Sequence, residues 1–288
     1  MLWFSLTIFA AFIQATADSL TKRALKSSDV FMASWLRNLL AVPFVLIALA
    51  FIPIPRLDST FYIAVAVALP LETVATLLYT KAIEVSPLSL TMPFLALTPL
   101  YLILSSYLLL GEVPSPAGAT GVVLIAIGAY LLNVGAMRKG GIFAPFKAVF
   151  REKGSLMMMA VAAIYAITSD LGKLAINHSS PVFFGTSYVA VFAVVFTPVA
   201  LYYTKKPVRV PAGGVTIYVF IGLFIAVLTI VQPLALSMTQ VSYMIAVKRT
   251  SMLFSIGYGK VMFGEENVRE RLLGASVMLL GLVVMTVF

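Results

Sequence analysis

Residues 111–132 read GEVPSPAGATGVVLIAIGAYLL, and residues 264–285 read GEENVRERLLGASVMLLGLVVM. Both open on Gly-Glu. Both then carry two glycines seven residues apart, Gly121 and Gly128 in one, Gly274 and Gly281 in the other. The offset is 153, and it holds without a gap from 82–128 onto 235–281. Eight of those 47 positions are identical, Ala82, Ser89, Leu100 and Ile103 among them. Further upstream SLTKRAL (19–25) resembles DLGKLAI (170–176) at an offset of 151. The chain reads as one unit written twice.

Composition says what kind of unit. Hydrophobic residues make up 61% of the 288 and charged residues only 11%, with a mean hydropathy of +1.04. A soluble domain carries about 25% charge, so the chain is read as an integral membrane protein. A helix needs about 20 apolar residues to cross the hydrocarbon core. Ten stretches qualify: 2–21, 31–52, 61–83, 88–110, 116–134, 155–175, 182–203, 215–237, 241–263 and 271–288. The expected fold is all-α and polytopic, ten transmembrane helices as two inverted five-helix repeats. Residues 1–136 form the first repeat, 137–154 a basic linker and 155–288 the second. The N-terminus lacks a basic n-region and a cleavage site, so it reads as a retained helix rather than a signal peptide. Within the linker, Phe143, Phe146 and Phe150 fall at helical spacing, which suggests a short interfacial helix.

An odd number of spans per copy forces the second copy to enter upside down, an architecture that places a substrate site between the halves. Loop charges agree. Fifteen of the twenty Lys and Arg follow odd-numbered spans, and only Arg56 and Lys173 follow even-numbered ones. The positive-inside rule then puts the basic side in the cytoplasm and both termini outside. The net charge of +9 is thus explained by loops, and no basic helix or aromatic-basic motif of a nucleic-acid binder is present.

WLRNLLAVPF (35–44), LGEVPSPAGATGVVLIAIGAYLL (110–132) and FGEENVRERLLGASVMLLGLVVM (263–285) resemble the EamA-type members of the drug/metabolite transporter superfamily. The resemblance covers essentially the whole chain. It implies a basket-like ten-helix secondary carrier, and it puts both termini in the cytoplasm, against the charge count. The superfamily's solutes range from amino acids and nucleotide-linked sugars to drugs and polyamines.

Departures from the repeat mark where the two copies were put to different use. Lys248 and Arg249 stand opposite Leu95 and Ala96, Glu72 opposite Ile225, and Arg37 opposite Ser187 or Tyr188. Intramembrane charge costs about 2.5–3.5 kcal/mol on insertion scales and is usually turned toward a wet interior. Three deep cations against one anion predict a net-positive chamber suited to an anionic or zwitterionic solute. Lys248, Ser251, Ser255 and Tyr258 recur at helical spacing, as do Glu72, Thr76 and Tyr79, and such stripes suit a polar pathway. Those residues with Arg37 are the leading substrate-binding candidates. Gln14, Asp18, Gln232 and Arg249 form a second tier.

Each candidate also has a plainer reading. Arg37 could clamp helix ends. Lys248 and Arg249 point about 100° apart, which favours Lys248 toward the chamber and Arg249 paired or snorkelling. Glu72 could be a counter-ion to Arg37 or Lys248, or a proton-coupling carboxylate. Asp18–Lys22 and Asp170–Lys173 read as helix-end pairs, His178 as a solvated loop residue, and Glu112 and Glu265 as anions at the N-termini of the helices they precede. The glycines leave smooth faces for close helix contact.

The function predicted is a secondary active transporter of a small polar or amphiphilic metabolite, working by alternating access in the inner membrane of a prokaryote. Its partners would be the solute and the lipid bilayer, with proton coupling and a homodimer left open. A non-transporting assembly subunit is the alternative, and an intramembrane enzyme a remoter one. No cofactor or metal is expected. The chain has no cysteine and a single histidine, and it lacks HExxH and the GxxxxGKS/T loop of nucleotide hydrolysis.

Overall fold

The computed structural model describes residues 2–98, 100–102, 116–132, 149–204 and 212–287. The linker helix expected around 143–151 falls largely outside them, as does Glu112. The described residues are helical throughout their regular structure: α1 (Leu2–Ala24), α2 (Val30–Leu39), α3 (Val42–Ala50), α4 (Ser59–Val85), α5 (Leu88–Thr91) running into a 3₁₀ segment (Met92–Leu97), α6 (Pro116–Leu131), α7 (Lys153–Asn177), α8 (Pro181–Tyr203), α9 (Ala212–Ser237), α10 (Val241–Lys248), α11 (Ser251–Phe263) and α12 (Val268–Val287).

Among the described residues, five stretches are long and apolar enough to cross a membrane: Val30–Ala50, Ser59–Val85, Lys153–Asn177, Pro181–Tyr203 and Val215–Ser237. Their starts follow local chemistry. Asp29 caps α2 through the Met32 amide at 2.9 Å and Asp58 caps α4 through the Phe61 amide at 3.0 Å. Glu152 caps α7 through the Ser155 amide, and Pro181 occupies the first turn of α8, where its missing donor costs nothing. Large apolar side chains face outward, including Phe51, Ile63, Val194, Tyr202 and Val261. In water such a surface would mark an interaction site, and here it is the face offered to lipid.

Packing pairs the two parts of the chain. α12 lies along α6, α4 along α7, and α1 along α9. The glycines explain the first pairing. A Cβ on Gly128 would stand 2.6 Å from the Gly274 carbonyl, and one on Gly281 would stand 2.7 Å from the Gly121 carbonyl. Backbones approach this closely only where neither residue has a side chain. Gly185 sits still tighter on Thr229 of α9, and Gly222 on the Leu40 backbone at the α2/α3 break.

Three of the apolar stretches are broken. The one between Val30 and Ala50 is interrupted at Leu40–Ala41. The stretch starting at Leu88 tightens into 3₁₀ at Met92, with Pro93 in its first turn. The stretch starting at Val241 breaks at Arg249–Thr250. At the offset of 153, the second and third interruptions coincide. Interrupted helices at matching positions of two copies are the best structural pointer to a binding site in a carrier.

Candidate functional site

A cavity of about 290 Å³ lies at these interruptions, close to the lower end for small-molecule sites. Nine of the twelve candidates line it: Gln14, Arg37, Glu72, Thr76, Tyr79, Gln232, Lys248, Arg249 and Ser251. Asp18 lies just behind its wall. Ser255 is buried one turn deeper on α11, and the Tyr258 hydroxyl pairs with Thr16 Oγ1 at 2.8 Å, between α11 and α1.

Asp18 organises one side of the cavity. It is 1% exposed, and every donor it needs is present. Gln14 Nε2 reaches both carboxylate oxygens at 3.0 Å, Arg37 Nη1 donates to Oδ1 at 3.0 Å, and the Tyr79 hydroxyl donates to Oδ2 at 2.5 Å. The Arg37 guanidinium also lies over the Tyr79 ring, 5.6 Å from its centre. Two expectations change. Asp18 is not the helix-end partner of Lys22, because Lys22 goes instead to Glu265 and the Ser86 carbonyl while Asp18 is taken by Gln14, Arg37 and Tyr79. The chamber also has three cations against two carboxylates, not one, and Arg37 is already neutralised by contact.

The opposite wall is less settled. Lys248, the last residue of α10, donates to Gln232 Oε1 of α9 at 2.8 Å. Arg249 is only 4% exposed and lines the cavity. The break at 249–250 turns its side chain inward, where Nη2 donates to Thr98 Oγ1 at 2.6 Å and the Thr98 hydroxyl donates in turn to the Leu95 carbonyl. Its buried Nε has no hydrogen-bond partner among the described residues. Glu72 makes no hydrogen bond and no ion pair among the described residues, although Lys248 and Arg37 are the cations that face it. An unpaired carboxylate, an ammonium and a half-satisfied guanidinium share one small space.

Sequence reading missed much of the lining. Tyr165, Thr168, Ser169, Gly172 and Ile176 come from α7, and Phe184 and Tyr188 from α8. Their steps along α7 are a helical stripe, which was legible in principle. Both helices are apolar enough to hide it.

The ends of the bundle carry the remaining charges. His178 is not merely solvated, since its Nδ1 meets Asp58 Oδ2 at 2.6 Å. Lys173 Nζ donates to the carbonyls of Leu236 at 2.6 Å and Thr239 at 3.2 Å. Glu265 meets Arg271 of the helix that follows it, but the amides it caps belong to another helix. Gly264 ends α11 in a left-handed turn at φ 62°, a conformation open to glycine. The turn aims Glu265 at the start of α5, where it accepts from the Leu88 amide at 2.8 Å and the Ser89 amide at 3.0 Å.

No cluster of His, Asp or Glu able to hold a metal occurs among the described residues. A bundle of lipid-facing helices around a small polar chamber defines a membrane transporter. The EamA-like transporter family matches residues 1–134 and again 152–287, and the chain belongs to that family. A crystal structure of a protein at 17% identity superposes with a TM-score of 0.68, covering 99% of this chain and 96% of the other, which shows a shared fold. No curated protein matches the chain.

Proposed function

We propose that the protein is a secondary active transporter of a small zwitterionic or anionic metabolite, built as two inverted five-helix repeats that rock about the central cavity. The observation that carries this is the cavity wall: Glu72, without a hydrogen-bond or ion-pair partner among the described residues, facing Lys248, with the open Nε edge of Arg249 on the same cavity. The cations would take the solute's anionic end, Arg249 offering a fork and Lys248 a point charge. Glu72 would take an ammonium, or the coupling proton. Inversion is supported by the pairing of α4 with α7 and α1 with α9, since exchanging the copies turns one pair into the other. It is supported again by Lys22 and Lys173, which bind carbonyls at matching positions, Ser86 and Thr239.

The test is uptake into liposomes of radiolabelled amino acids and small carboxylates under an imposed pH gradient. Glu72→Gln abolishes gradient-driven uptake while leaving counterflow exchange intact. Lys248→Met raises the half-saturating concentration of anionic and zwitterionic solutes at least tenfold. Gradient-driven uptake by Glu72→Gln at the parent rate rules out the coupling role, and unchanged affinity in Lys248→Met rules out the charge reading.

A further inference from the structure

The cavity is lined toward one end by Gly172, Ile176 and Leu236, near where α7 and α9 finish. Toward the other end the helices meet in a buried ionic cluster that the transport reading does not use. Glu265 sits at its centre with its side chain 7% exposed. It holds the first two amides of α5 and the Ser89 hydroxyl. Lys22 Nζ stands 3.6 Å from Oε1 and Arg271 Nη1 3.3 Å from Oε2. Lys22 also donates to the Ser86 carbonyl at 2.5 Å, and the Ser86 hydroxyl donates to Glu152. The cluster thus ties the ends of α1 and α4 and the start of α5 to the start of α7, the end of α11 and α12. Every tie from Glu265 to Lys22, Leu88 and Ser89 crosses from the second repeat to the first.

We infer that Glu265 is the bolt of a gate closing the pathway at the Lys22 end, and that Arg271 biases the carrier toward the state in which this gate is shut. The inference rests on the alternating-access reading above. Opening at this end must pull α11 and α12 away from α5, and doing so strips a buried carboxylate of two amides, a hydroxyl and Lys22 together, and parts Arg271 from the Ser89 hydroxyl. The bias follows from the repeat. Lys22 corresponds to Lys173, Glu265 to Glu112 and Ser89 to Ser242, but Arg271 corresponds to Gly118. The opposite end lacks that cation in its sequence, and Lys173 there donates to the carbonyls of Leu236 and Thr239. Two copies of one gate would shut with equal strength, and an extra charged partner on one of them tilts the balance.

Ser255 reports on the gate. It is 1% exposed, one turn from the cavity-lining Ser251 and one turn from Gly259, whose Cβ would stand 2.5 Å from Glu265 Oε2. The chain has no cysteine, so Ser255→Cys supplies the only thiol. A membrane-impermeant methanethiosulfonate is applied to sealed vesicles from one side at a time, without solute. Glu265→Gln and Gly259→Ala, the latter displacing the carboxylate while keeping its charge, each raise labelling from the Lys22 end about tenfold or more. Arg271→Gln raises it severalfold, and labelling from the other end falls or stays level in all three. Rates within twofold of the parent in both Glu265→Gln and Gly259→Ala overturn the gate, as does an equal rise from both sides, which signals loosening rather than opening. Rates unchanged in Arg271→Gln alone overturn the bias. Labelling needs no solute and uptake needs no thiol, so a failed gate and a failed transport reading give different results.

Discussion

Asp18 shows how one buried atom group can fix a wall. Its carboxylate takes donors from α1, α2 and α4, so three helices are registered against each other at one point. Removing one partner of a buried pair costs about 3–5 kcal/mol, because the other charge is stranded. Asp18→Asn keeps the shape and loses the charge, and it should lower stability by about 3 kcal/mol in a denaturant titration of the protein in detergent. The same substitution in an Arg37→Met background should cost much less, since no guanidinium is left stranded. Equal costs in the two backgrounds would show that the pair is not coupled. Arg249 is the converse case. Its Nε is buried and unanswered, and a lost hydrogen bond to a charged group is worth about 1.5–3 kcal/mol. That deficit is tolerable in a binding wall, where a solute can supply the missing acceptor.

At the scale of the helix, glycines divide into those that are used and those that are not. A Cβ on Gly128 would meet Met278 Cγ at 2.5 Å and backbone just beyond, whereas one on Gly257 would meet nothing within 4 Å. Gly128→Ala should therefore destabilise the crossing of α6 and α12. Gly257→Ala should leave stability unchanged or raise it by about 0.5–1 kcal/mol, both read by thermal unfolding in detergent. The reverse order would mean that the crossing is not tight. The Gly128 contact was legible in the sequence, because the seven-residue spacing recurs at Gly274 and Gly281. The apolar stretches were legible for the same reason, that hydropathy and length leave little choice in lipid. The interruptions were not. Pro93 hints at the 3₁₀ segment, but no proline or glycine precedes the break at Arg249–Thr250, and it is this break that turns Arg249 inward. Glu265 was misread for a related reason. Its neighbours in sequence suggest an N-terminal anion of α12, and only the turn at Gly264 aims it at α5. Tyr165 and Tyr188 escaped because aromatic residues on apolar helices look like core until a cavity is seen beside them.

At the scale of the molecule, the two ends of the bundle are held by different chemistry. The Lys22 end is closed by a carboxylate inside a ring of buried donors. Among the described residues, the far end is spanned by Lys173 on the Leu236 and Thr239 carbonyls and by the exposed bridge from Asp58, before α4, to His178, after α7. Asp58 is the group through which pH acts on that bridge. The Phe61 amide and the His178 ring both favour its ionised form and hold its carboxyl below the ordinary value of 3.8. A depressed carboxyl contributes its stabilisation fully above its unfolded value and loses it as pH falls through the folded one. The Asp58 side of the bridge therefore holds above the ordinary carboxyl value and is lost as pH falls through the lower folded one, and because the bridge is exposed, salt weakens it as well. Spin labels on Arg56→Cys and Ser179→Cys, otherwise free of thiols, read the separation of the two loops. The distance distribution should be narrow at pH 6 and broaden below pH 4, while Asp58→Asn should give the broad distribution at both. A distribution that stays narrow through acidification, or an Asp58→Asn protein that matches the parent at pH 6, would place the stiffness of this end in Lys173 and the helix packing, not in the bridge.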